Sequence, residues 1–189
     1  MQNNAVANRN AESILYTNKL IRNTYILLSM TLLFSAVTAA ISVVLRMPPS
    51  TYLFSIGGAF VLMWFVLPRK ANSSSGIAIV FLITGLLGFS LGPMLNMYLA
   101  LPNGPQIVAT ALGGTGVIFM GLSGYALTTK RDFSFLGGFL FVGILVVLGA
   151  AILNIFMAIP ALSLALSAAI VMLMSGFILF DTSRMVNGG

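Results

Sequence analysis

Three carboxylates, Glu12, Asp132 and Asp181, make up the whole acidic complement of this 189-residue chain. They fall in three different segments, so no local pair can divide acid and base work between two side chains. His and Cys are absent, which removes imidazole bases, thiolate nucleophiles and the commonest transition-metal ligands. One stretch still offers a serine among small residues, Gly121-Leu122-Ser123-Gly124. A serine nucleophile needs a base, and Lys130 lies too far along the helix to serve. The stretch reads instead as a glycine-rich packing face with Ser123 bonded back onto its own helix. The expectation is a protein that is not an enzyme, with no catalytic residue, no metal site and no cofactor.

Two further groups of residues carry physical signals. Asp181 directly follows the apolar Gly176-Phe177-Ile178-Leu179-Phe180. If the last helix stops there, its C-terminal dipole and partial desolvation both favour the protonated carboxyl. Arg184, three residues on, opposes them. Asp181 is therefore either an interfacial carboxylate paired with Arg184 or a proton-sensitive gate. The second group is Gly85, Gly88, Gly92 and Asn96, spaced three, four and four apart and so on one helical face. Small residues at that spacing let another helix approach closely. Gly92-Pro93 suggests a local break, with Asn96 one turn later to occupy the freed backbone groups. Gly113, Gly114, Gly116, Gly121 and Gly124 suggest a second packing face.

The elements that hold these residues follow from where charge is missing. No charged residue lies between Ala71 and Thr129 or between Phe133 and Phe180. Each run is more than twice the roughly 20 residues that cross a bilayer. Breaking each at its Pro/Gly cluster gives two crossings, and two more lie upstream. The spans are expected at 23–45, 51–67, 76–99, 106–128, 135–157 and 162–180. Residues 1–20 form a polar N-terminal tail, and 21–189 the transmembrane bundle. Only 6% of residues are charged and 59% are apolar, with a mean hydropathy of +1.06; soluble proteins carry about 25% charge. The apolar runs are too long for the alternating strands of a membrane barrel. The fold class is all-α, a polytopic membrane helical bundle, because each segment must satisfy its own backbone in lipid.

Six spans place Arg9, Lys19, Arg22, Arg69, Lys70, Lys130, Arg131 and Arg184 on one side and Arg46 alone on the other. That bias puts both termini in the cytoplasm. It also accounts for the net charge of +6, so nucleic acid is not an expected partner. The lipid bilayer is. Asn154, an amide near the outer end of span five, is expected to bond across helices.

Separate motifs in a fixed order then carry a resemblance. They are Leu20-Ile21-Arg22-Asn23-Thr24-Tyr25, Leu91-Gly92-Pro93-Met94-Leu95-Asn96, Ala111-Leu112-Gly113-Gly114-Thr115, Asp132-Phe133-Ser134-Phe135-Leu136-Gly137-Gly138 and Phe180-Asp181-Thr182-Ser183. Together they resemble the bacterial YccA branch of the Bax inhibitor (TMBIM-like) family. The resemblance implies an inner-membrane protein that binds and modulates the membrane protease FtsH, with an N-terminal tail the protease can engage. It also implies an alternative role as a pH-sensitive leak for calcium ions. There Asp181 matches one member of a gating aspartate pair, and Arg69 or Lys70 lies near a basic partner. The family fold has seven helices. This sequence ends at Gly188-Gly189, where the family continues into the last one, so the second aspartate has no counterpart in it.

Overall fold

The computed structural model describes the backbone of residues 2–70, 73–129 and 131–187, and their side chains except those of 2–18 and 74. The described residues form six long helices and no strand. We label them α1 (Gln2–Val44), α2 (Ser50–Lys70), α3 (Ser74–Leu99), α4 (Gly104–Thr129), α5 (Leu136–Met157) and α6 (Pro160–Asn187). All six are long and apolar enough to cross a membrane.

Three boundaries differ from the sequence expectation. The backbone of the polar segment 2–20 is helical and continuous with the first span. No Gly or Pro occurs before Pro48, so nothing interrupts the i→i−4 ladder. α3 runs through Pro93 without the expected break. Close packing of Gly88 and Gly92 against α1 keeps the helix continuous where the proline withholds its N–H. α6 continues past Phe180 to Asn187, because its last turns bond to the loop before α5.

α2 carries a π turn at Leu62–Val66, one turn before Pro68. A proline in a helix clashes with the carbonyl four residues back and removes one donor. Local widening relieves the clash, and the Arg69 guanidinium donates to the Phe65 carbonyl at 2.7 Å.

Two compact units divide the chain, residues 22–111 and residues 1–21 with 112–189. In the first, α3 packs on α2 and against α1, and it has the most buried apolar window of the six spans, at 33%. In the second, α5 and α6 form a hairpin. Ala158 turns the chain between them with φ 49°, a left-handed helix end.

Candidate functional site

The closest helix contact in the first unit is built from small residues on both partners. A Cβ at Gly88 would meet the Ser35 carbonyl oxygen and the Thr38 Oγ1, with the Ser35 Oγ at 2.6 Å. One at Gly92 would meet the Ser42 side chain, with the Ser42 carbonyl carbon at 2.9 Å. At Gly85 it would meet the edge of the Phe34 ring at 2.7 Å. At Gly88 and Gly92 glycine is required because backbone of α1 is among the atoms that occupy the space. Across from these glycines, α1 presents Thr31, Ser35, Thr38 and Ser42, spaced four, three and four apart. Thr31 and Thr38 turn their hydroxyls onto their own helix, to Leu28 O and Ser35 O, each at 2.9 Å. Such back-bonding hides polarity and leaves a slim surface. Ser42 differs from the two threonines: it is fully buried, with a hydroxyl that has no partner. Asn96 closes the contact by donating from Nδ2 to Val43 O at 3.2 Å. It therefore serves the C-terminus of α1, whereas sequence reasoning assigned it to freed groups on its own helix.

Glycines in α4 behave otherwise. Among the described residues nothing lies within 4 Å of a Cβ built at Gly113, Gly114, Gly116, Gly121 or Gly124. Ser123 is buried but its hydroxyl is unpartnered, so the expected bond back onto the helix is not made. In the α5–α6 hairpin Gly143 and Gly176 face side chains, while Gly138 and Gly149, among the described residues, face open space. Gly143 receives a Leu173 methyl at 2.5 Å and Gly176 a Leu140 methyl at 2.6 Å. At the turn between α5 and α6, Asn154 donates to the Ser163 hydroxyl at 2.7 Å and accepts from the Ile159 N–H at 3.1 Å. This is the cross-helix role expected for that amide.

Where the end of α6 meets the loop before α5, the second unit holds a clasp centred on Ser183, which is fully buried. Its hydroxyl accepts from the Phe133 N–H at 2.9 Å and donates to the Arg131 carbonyl at 3.0 Å. Asn187 adds a 3.3 Å bond to the same carbonyl. Asp132 in the bridged loop accepts from the Ser134 N–H at 2.8 Å and from its hydroxyl at 2.5 Å. Those hydrogen bonds, the hydroxyl's first, hold its carboxyl below the usual carboxylate range.

Asp181 sits two turns before the end of α6 and is exposed. The premise of a carboxylate at the helix terminus therefore fails, since the dipole acts within the last turn. Arg184 does not pair with it among the described residues. The guanidinium instead lies 5.5 Å from the centre of the Phe180 ring, a cation–π contact. Arg69 and Lys70 belong to the other unit, and Arg69 is engaged with Phe65 O. Among the described residues no group of three or more His, Cys, Asp or Glu could hold a metal ion.

Sequence reasoning missed the hydroxyl face of α1 and the Ser183 clasp. The first was visible as Thr31/Ser35/Thr38/Ser42 at helical spacing. The second had no local signal, because its bonds join residues 50 and 52 apart.

Comparison with known proteins gives a consistent result. The family described as "Inhibitor of apoptosis-promoting Bax1" matches residues 17–189. A protein of Escherichia coli strain K12, described as modulator of FtsH protease YccA, is 49% identical over 177 residues, which is 94% of this chain and 80% of that protein. A membrane protein of Vibrio cholerae is also 49% identical, over 94% of this chain and 79% of its own length. A Pseudomonas aeruginosa protein is 44% identical over 89% of this chain and 76% of its own.

Proposed function

We propose a function from one premise: this chain belongs to the Bax inhibitor family. It acts as an inner-membrane protein that binds the membrane protease FtsH and restrains it, without chemistry of its own. The observation that carries this reading is the 49% identity to the E. coli FtsH modulator, sustained over 94% of the chain. The eight-to-one Lys/Arg bias supports cytoplasmic termini, which would put the polar start of α1 on the cytoplasmic side.

Copurification of the tagged full chain with FtsH, beside the degradation rate of an FtsH substrate, tests it. Wild-type chain should copurify and slow degradation. Loss of residues 1–18 should lengthen the chain's own lifetime. Absence of both copurification and slowing would overturn the reading.

The leak reading has less support. Its gate was expected to hold a carboxylate at the end of a helix, poised by Arg184. Asp181 instead lies about two turns inside the end of α6 and is exposed, and Arg184 faces Phe180.

A further inference from the structure

Arg46 is the one basic residue at its end of the six-span arrangement, and the backbone beneath it is strained. Its φ is 49°, in the left-handed region that costs a non-glycine residue roughly 1–2 kcal/mol. The bonds around it define a Schellman motif: Arg46 N–H to Val43 O at 3.1 Å and Met47 N–H to Ser42 O at 3.3 Å. That position favours glycine, yet an arginine stands there. Strained positions are held by the structure around them and gather at ligand clamps. Ala158 shares this φ at a plain helix end, so what surrounds the Arg46 side chain decides.

The side chain lines a cavity of about 520 Å³ between the α1–α2 turn and the C-terminal end of α3. Met47, Pro93, Met97 and Leu99 make most of the wall apolar, and Asn96 adds an amide. No Asp or Glu occurs anywhere between Glu12 and Asp132, so the whole 22–111 unit contains no anion to neutralise Arg46. Among the described residues its guanidinium makes no ion pair.

The geometry points to a binding site in which Arg46 holds the phosphate of a membrane phospholipid, whose glycerol and upper acyl chain lie along Met97 and Leu99. A guanidinium binds phosphate oxygens in two-pronged fashion. The placement at a span end, where headgroups lie, favours a lipid over a free ion, and so does the apolar wall. This site is independent of the protease reading. The competing explanation is that Arg46 only complements the helix C-terminus and marks topology.

Native mass spectrometry of the full chain, released from nanodiscs of phosphatidylglycerol and phosphatidylcholine, separates the two. Wild type should retain one phosphatidylglycerol, and millimolar inorganic phosphate should not displace it. Arg46→Gly relieves the left-handed strain, so it should fold with equal or higher thermal stability. It should nevertheless retain the lipid at least about tenfold less, the loss expected for one charge-assisted contact. Arg46→Lys should retain part. Equal retention by wild type and Arg46→Gly, or no retention by wild type, would overturn the site. Displacement by inorganic phosphate would overturn the lipid assignment in favour of a phosphate ion.

Discussion

The glycines of α3 and those of α4 occur in helices of equal length, 26 residues each, and at comparable density. Around Gly85, Gly88 and Gly92, α1 fills the space; around Gly113, Gly114, Gly116, Gly121 and Gly124, among the described residues, the space is open. The α5–α6 hairpin lies between these extremes, with leucine methyls over Gly143 and Gly176. Glycine content alone therefore does not identify a helix contact. What distinguishes α3 is the complementary face on α1, where hydroxyls fold back onto their own helix and let two backbones approach. Association in lipid rests on such packing, because the apolar solvent gives no hydrophobic drive between helices.

The largest effect is expected at Gly92 and Gly88. Gly92→Ala places a methyl on the Ser42 side chain beside its backbone, and one helix must shift. Overpacking of this kind costs about 3 kcal/mol or more when backbone must move. Detergent melting temperature and folded yield measure it; unchanged values would mean that α1 and α3 separate freely.

Next comes the clasp. Ser183→Ala removes a buried hydroxyl that serves one donor and one acceptor. Stability should fall by about 1–3 kcal/mol, with faster hydrogen exchange at Phe133. A loss confined to the melting temperature, with exchange unchanged, would place the effect elsewhere.

Gly176→Ala should cost about 1 kcal/mol, since the Leu140 methyl can rotate away. If its cost equalled that of Gly92→Ala, the distinction between side-chain and backbone contacts would collapse. Gly114→Ala should be neutral or slightly stabilising, by less than about 1 kcal/mol, through helix propensity alone. A large loss there would reveal a neighbour packed against Gly114.

The smallest effect concerns Asp132. Its folded carboxyl lies below the ordinary 3.8, so its contribution is fully present above that value and lost as pH falls through the depressed one. Melting curves of wild type and Asp132→Asn should stay parallel at neutral and mildly acidic pH and converge only in strong acid. A divergence near neutrality would contradict the exposed, hydrogen-bonded state of this carboxylate.

The sequence by itself determined the number of spans, the helical class and the family. Those depend on the summed hydropathy of long runs and on motif order, which are local properties. Asn154 was legible too, because an amide in an apolar hairpin must bond to the nearest polar partner. Other features only the tertiary structure decided. Pro93 broke no helix because α1 packs tightly beside it, and Asn96 serves a carbonyl 53 residues away. Asp181 lost its terminal position because Ser183 and Asn187 anchor two further turns of α6 to a distant loop. Whether a glycine face is filled, and whether a carboxylate ends a helix, depends on long-range contacts that no local pattern encodes.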